Sequence, residues 1–145
     1  DAIFDTNVKG PFFLIQSLLP MIKPHASVIL CGSTSIHIAL EKSSVYAASK
    51  IALRSLVKTL SRELLAQQIR FNLLSPGPTL TPALNKVAST PAEVEQLKAS
   101  IENLVPIQRL ADPVEIANAF IYLASDEAKF IVGSELLVDG GVANL

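Results

Sequence analysis

Apolar residues recur every three or four positions through four stretches of the chain, which predicts four helices. The first covers residues 1–23 and is interrupted at Gly10-Pro11, and the second covers residues 44–68. Residues 90–93 and 112–115 each have the pattern of a capping box with proline at the first helical position. These patterns predict a third helix that ends near residue 104 and a fourth that ends at residue 124.

Three short apolar runs, at residues 27–31, 69–74 and 135–138, predict strands that are buried on both faces. Helical segments of ordinary length separate these runs, which favours a parallel sheet with right-handed connections. The pattern therefore predicts an α/β fold in which three strands are flanked by helices.

The composition agrees with a covered sheet, because half of the 145 residues are apolar and only 17% are charged. A net charge of −1 without a basic block argues against a nucleic-acid surface, and no apolar run has the length of a membrane span. Cys31 is the single cysteine, which excludes an internal disulfide. We expect a cytoplasmic protein in which Cys31 is an inert thiol of the core.

The candidate chemistry lies around the first predicted strand and the second predicted helix. Ser33 follows the strand, and Tyr46 and Lys50 lie 13 and 17 residues further along. Residues four apart leave a helix on one face, so the Lys50 ammonium favours the phenolate form of Tyr46. A serine hydroxyl facing this pair can bind the oxygen atom that the tyrosine protonates. An exposed tyrosine and a solvated lysine are the alternative for the pair alone, and the serine after a strand favours proton transfer.

These residues resemble the active-site signature of the short-chain dehydrogenase/reductase family, a serine followed by Tyr-x-x-x-Lys. The run from Arg109 to Gly141 is similar to the C-terminal pattern of the family. The chain as a whole resembles the 3-oxoacyl-carrier-protein reductases of this family. The resemblance implies hydride transfer between NAD or NADP and a small alcohol or carbonyl compound. It implies that Tyr46 is the acid or base, that Lys50 supports it and binds the nicotinamide ribose, and that Ser33 holds the substrate oxygen.

Asn7 is a fourth candidate for the catalytic set. Pro11 lacks the N–H that would bond the carbonyl four residues earlier, so the Asn7 carbonyl is predicted to be free at a kink. The resemblance implies that this carbonyl holds a water that connects Lys50 to solvent. An ordinary polar residue beside a kink is the alternative.

The loop after the second predicted strand lies at the end of the sheet where open α/β folds bind ligands. Pro76-Gly77 predicts a rigid turn at which another molecule can approach the backbone. The resemblance implies that Pro76 and Gly77 line the nicotinamide, that Thr79 binds its carboxamide through the backbone, and that Thr81 lies near the pyrophosphate. Without that context, a plain proline-rich loop is the better interpretation.

Residues 80–110 are interpreted as a mobile lid over the substrate, with Leu80, Leu84 and Val87 as candidates to line an apolar pocket or to pack helices. His37 lies close enough to Ser33 to border that pocket, although a surface loop histidine is the more frequent case. Neither histidine has a partner pattern for metal binding, so no metal site is predicted.

The glycine-rich turn that binds a dinucleotide pyrophosphate is absent from these 145 residues. Residues 1–145 are therefore interpreted as the C-terminal part of one Rossmann-type, doubly wound NAD(P)-binding domain. We expect the isolated chain to be inactive, and a catalytically incomplete assembly module is the alternative function. The first half of the second predicted helix has small side chains that let another helix approach closely: Ala47, Ala48, Ser49, Ala52 and Ser55. Together with the family resemblance, this implies a homo-oligomer, a dimer or a tetramer.

Overall fold

A computed structural model of the protein describes residues 1–82, 84 and 90–145. Its centre is a parallel sheet of three strands, β1 (Ser27–Cys31), β2 (Arg70–Pro76) and β3 (Glu135–Val138), in the order β1-β2-β3. The α/β architecture and the neighbouring order of the strands are as predicted. The middle strand begins one residue later and ends two residues later than the apolar run, because Ser75 and Pro76 still pair with Leu137 and Val138.

The first helical segment changes its winding at the predicted interruption. It consists of α1 (Ala2–Phe4), a π-helical turn (Asp5–Lys9), α2 (Gly10–Leu18) and a 3-10 turn (Leu19–Met21). The Gly10 N–H bonds the Asp5 carbonyl five residues back, instead of the usual four. Asn7 therefore lies in the middle of a widened turn.

The long helix α3 spans Ser44–Leu64 and packs against β2. It is followed by a 3-10 turn at Leu65–Gln67 and by Gln68 in the left-handed conformation, with φ at 60°. The predicted end at residue 68 was therefore wrong by four residues, since the winding tightens after Leu64. Leu65, the first residue of this 3-10 turn, is 47% exposed.

Two apolar clusters cover the two faces of the sheet. On one face, Leu53, Val57 and Leu64 of α3 pack with Phe71 and Leu73 of β2. On the other face, Ile116 and Leu123 of α5 (Pro113–Ala124) pack with Leu74. The remaining helix, α4 (Pro91–Glu102), ends two residues before the predicted boundary, and both predicted capping boxes are present. β2 is thus buried from both sides and fixes the positions of the loops that follow it.

Cys31 is exposed, and its prediction as a core thiol was wrong. It is the last residue of β1, which is an edge strand among the described residues because it pairs only with β2. An apolar run cannot distinguish an edge strand from a central one. Among the helices that the structure describes, none is both long and apolar enough to cross a membrane.

Candidate active site

Ser33 begins a tight turn just beyond the carboxyl end of β1. Its backbone is extended, and its Oγ accepts a hydrogen bond of 3.2 Å from the Ser35 N–H. This bond caps the 3-10 turn Thr34–Ile36 in the manner of a helix N-cap. The capping bond restrains the Ser33 hydroxyl at the end of the sheet where open α/β folds bind ligands.

Tyr46 and Lys50 lie one turn apart near the start of α3. The Lys50 Nζ atom is 5.6 Å from the centre of the Tyr46 ring. It also donates a hydrogen bond of 3.0 Å to the carbonyl oxygen of Cys31, two residues before Ser33. Lys50 therefore joins the helix that carries Tyr46 to the strand that leads to Ser33. Tyr46 is 40% exposed, so its ring remains open to a ligand.

Asn7 is connected to the same helix through a side chain that the sequence interpretation did not assign to the site. The Asn7 amide donates to Ser49 Oγ at 3.0 Å, and Ser49 Oγ donates to the Tyr46 carbonyl at 2.6 Å. Ser49 is fully buried, whereas the sequence indicated only a small residue that keeps α3 slim. The sequence feature that could have identified Ser49 as a site residue is its polar side chain three positions after Tyr46.

The end of β2 and the loop after it contain the four residues that the resemblance assigned to the cofactor. Pro76 ends the strand, and a side chain at Gly77 would come within 2.6 Å of the Asp139 Cα atom. The close approach that requires glycine is therefore made by the chain's own Asp139. Thr79 Oγ1 donates to the Gly77 carbonyl at 2.9 Å, and Thr79 pairs with Ala111 in an isolated bridge. The Thr79 hydroxyl is thus bonded within the loop itself. Thr81, two residues further on, is half-buried.

The predicted lid region borders a cavity of about 310 Å³. Leu80, Thr81 and Leu84 line one side of it, and Val94 and Lys98 of α4 line the other. Leu80 and Leu84, the candidates for an apolar pocket or for helix packing, thus border a cavity beside α4. Val87 lies outside the described residues.

His37 belongs to a cluster around a carboxylate that the sequence interpretation missed. Its Nε2 atom is 2.8 Å from Glu135 Oε1, and Ser75 Oγ donates to the same oxygen at 2.6 Å. Arg54 Nε is 3.0 Å from Glu135 Oε2, and the Arg54 side chain remains 40% exposed. No pattern in the sequence links these residues, which come from separate parts of the chain.

A second carboxylate, Glu115, is held in the capping box of α5. The Arg109 guanidinium donates to both oxygens of Glu115, at 2.7 and 2.8 Å, and the Asp112 N–H donates to one of them. Arg109 and, after it, the Asp112 N–H lower the pKa of Glu115 to about 2. Within residues 1–82, 84 and 90–145, no group of three acidic, histidine or cysteine side chains is placed so that it could hold a metal ion.

Known proteins are similar to this chain in sequence over nearly its whole length. The sequence family described as enoyl-(acyl carrier protein) reductase matches residues 1–143. The 3-oxoacyl-(acyl-carrier-protein) reductase FabG of Staphylococcus epidermidis is 33% identical over 144 residues, which are 98% of this chain and 57% of that protein. The chain spans little more than half the length of the curated relatives that it matches.

Two solved structures have the same fold over nearly the whole chain. A short chain dehydrogenase family protein from Francisella tularensis superposes with a TM-score of 0.87 at 31% identity, covering 98% of this chain and 61% of that one. The angucycline C-6 ketoreductase LanV with bound NADP superposes with a TM-score of 0.85 at 27% identity, covering 94% and 51%. The order of the motifs, the parallel sheet and these matches lead to one conclusion: the chain belongs to the short-chain dehydrogenase/reductase family.

Proposed function

We propose that the protein is an NAD(P)-dependent oxidoreductase that interconverts a carbonyl and an alcohol on a small molecule. The observation that carries this proposal is the position of Lys50, which lies beside the Tyr46 ring and binds the Cys31 carbonyl next to the Ser33 turn. The Lys50 ammonium thus connects α3, which carries the Tyr46 hydroxyl, to the end of β1, which leads to the Ser33 hydroxyl. Ketoreductase LanV, with NADP bound, is similar to this chain across the same elements.

In this proposal, the chain's own residues bind the substrate oxygen and move one proton. Ser33 Oγ donates a hydrogen bond to the carbonyl oxygen of the substrate. Tyr46 gives its phenolic proton to that oxygen during reduction and takes it back during oxidation. Lys50 stabilises the phenolate that remains, because an opposite charge nearby favours the charged form. Asn7 contributes its main-chain carbonyl to a water relay that reprotonates the site.

The residues fit the nicotinamide half of a cofactor. The Lys50 ammonium has three N–H donors, and one of them bonds the Cys31 carbonyl. The other two leave it able to bind a ribose hydroxyl beside Tyr46. At the corresponding end of the sheet, Pro76 ends β2, and Gly77, Thr79 and Thr81 follow it. When bound, NAD or NADP supplies or accepts the hydride. The sequence has no glycine-rich turn for the pyrophosphate, so these residues do not choose between the two cofactors.

Replacement of the tyrosine tests the proposal. Tyr46→Phe removes one hydroxyl. In the whole protein that contains residues 1–145, we expect turnover of a panel of ketones with NADH or NADPH to fall by about 10²–10⁴-fold. Tyr122→Phe is the matched control, since Tyr122 is the only other tyrosine and lies exposed on α5. If Tyr46→Phe retains more than half of the wild-type turnover, with chemistry rate-limiting, Tyr46 is not the acid.

A catalytically incomplete assembly module is the second candidate. The missing glycine-rich turn and the partial coverage of the relatives favour it for residues 1–145 taken alone. We propose that these residues are the C-terminal part of one Rossmann-type domain, and that alone they bind NAD(P) too weakly for catalysis. Calorimetric titration of residues 1–145 with both cofactors tests this, and micromolar binding would contradict it.

Self-association and a cytoplasmic location complete the proposal. α2 exposes Phe12 and Phe13, and this apolar surface suits a second copy better than solvent. We propose a dimer or tetramer built on α2 and α3. Sedimentation of a folded monomer at micromolar concentration would contradict this assembly.

A further inference from the structure

Glu135 is a largely shielded carboxylate that contacts three separate elements. Its side chain is 9% exposed at the start of β3. Oε1 accepts from Ser75 at the end of β2 and contacts the His37 ring, while Oε2 contacts Arg54 of α3. A shielded charge without partners would be strongly unfavourable, so these contacts explain how the carboxylate is tolerated. They do not explain why these three elements are joined.

The turn that His37 ends is the turn that Ser33 begins. The Ile36 N–H bonds the Ser33 carbonyl at 3.3 Å, and the His37 N–H bonds the Thr34 carbonyl at 2.9 Å. Together with the bond from the Ser35 N–H to Ser33 Oγ, these bonds make residues 33–37 one compact unit. Two side-chain bonds attach this unit to the sheet: Thr34 Oγ1 to the Pro76 carbonyl at 3.4 Å, and the shorter contact of His37 with Glu135 at 2.8 Å.

The other oxygen of Glu135 reaches the helix that carries the proton donor. Tyr46, Lys50 and Arg54 are spaced four residues apart on α3 and so share one stripe of the helix. Because Oε1 contacts the Ser33 turn and Oε2 contacts Arg54, a single carboxylate spans the two groups between which a substrate oxygen would bind. Lys58 lines the same cavity of about 400 Å³ beside these residues.

We propose that Glu135, acting through His37 and Arg54, is a positioning residue that sets the place of the Ser33 hydroxyl relative to Tyr46. This inference rests on the proposed oxidoreductase function. His37 acts as a neutral or charged donor from Nε2 and does not contact the substrate. A misplacement of about 1 Å in a reacting group can cost about 10²-fold in rate.

Two substitutions of His37 separate positioning from bulk stability. His37→Ala removes the donor, whereas His37→Gln places an amide N–H near the position of Nε2. We expect His37→Ala to lower kcat about 10-fold or more, to leave the KM for the cofactor within twofold, and to speed amide exchange of Ser35 and Ile36. His37→Gln is expected to restore both readouts to within about threefold. The control is His25→Asn, because His25 is the other histidine and has φ at 68°, a conformation that asparagine tolerates.

A double variant tests whether His37 and Arg54 act through the one carboxylate. We expect Arg54→Met to lower kcat as His37→Ala does, and the double variant to lose clearly less than the product of the two single losses. Multiplicative losses would overturn the proposal. Faster amide exchange in His37→Ala without any loss in kcat would also overturn it, as would an equal loss of kcat in the alanine and glutamine variants. These kinetic comparisons use the whole protein that contains residues 1–145. If that wild-type protein has no oxidoreductase activity, the proposed function fails, and the exchange rates of Ser35 and Ile36 alone decide whether His37 holds the turn.

Discussion

Lys50 donates a hydrogen bond of 3.0 Å to the carbonyl oxygen of Cys31, the residue at the carboxyl end of β1. The direction of this carbonyl follows from the strand pairing. The Gly32 N–H bonds Leu74 and the Ala26 carbonyl bonds Arg70, so even-numbered residues of β1 bond β2. Ser27, Ile29 and Cys31 therefore point their backbone groups away from β2, and Lys50 satisfies the last of these carbonyls.

The position of Lys50 predicts two separate losses in the variant Lys50→Ala. The variant removes the cation beside Tyr46 and the proposed donor to the cofactor ribose, so we expect kcat/KM to fall about 10²-fold or more and cofactor affinity to weaken. Steady-state kinetics with varied cofactor measures both. Lys23→Ala, at an exposed lysine in the loop before β1, is the control. Wild-type activity and cofactor affinity in Lys50→Ala would contradict both roles.

Periodicity and spacing predicted most of what positions this site. The three strands, the crossover helices and the facing of Tyr46 and Lys50 depend on local patterns, and all of them are present. The contacts of Asn7 with Ser49 and of His37 with Glu135 join residues 42 and 98 positions apart, and no local pattern encodes such a pair. The exposure of Cys31 was missed because burial of a strand depends on its neighbours in the sheet, which an apolar run does not reveal.

A buried asparagine on β2 predicts a large stability change. Asn72 is fully buried, donates to the Ile131 carbonyl at 2.9 Å and accepts from the Ser134 N–H at 3.0 Å. Asn72→Ala leaves the Ser134 N–H without this partner, whereas the Ile131 carbonyl still accepts from the Arg70 guanidinium at 3.3 Å. We therefore expect a loss of roughly 1–3 kcal/mol, the cost of one unsatisfied buried group. Urea unfolding measures it, with the exposed Asn118→Ala of α5 as the control expected within about 0.5 kcal/mol of wild type. A similarly small change at Asn72 would show that the loop repacks.

The lowered pKa of Glu115 predicts a stability contribution that depends on pH. The pKa lies near 2 in the folded protein and near 4.5 for an ordinary glutamate, so the folded state favours the carboxylate. Wild type should therefore exceed Glu115→Gln in stability above pH 4.5, and the difference should shrink as pH falls towards 2. Paired melting curves at pH 6 and pH 3 test this, and added salt should reduce the difference, because the ion pair is half-exposed. An equal difference at both pH values would mean that the charge is not the cause.

The outer edge of β1 predicts a further strand partner. In the part of the chain that the structure describes, β1 pairs only with β2, and its other side opens on an apolar groove of about 860 Å³ beside α2. An apolar edge with unpaired backbone groups readily pairs with another strand, and leaving such groups dry and unbonded costs roughly 1–3 kcal/mol each. We therefore expect the edge to be covered in the natural protein, by another chain or by a segment outside residues 1–145.

Amide exchange tests this within one strand. The Leu30 N–H bonds β2 and serves as the internal reference, whereas the Ile29 N–H points to the open side. If the edge is covered, the Ile29 N–H should exchange nearly as slowly as the Leu30 N–H. Free amides open far more easily than paired ones, so an Ile29 rate more than about 10²-fold faster would mean that the edge faces solvent.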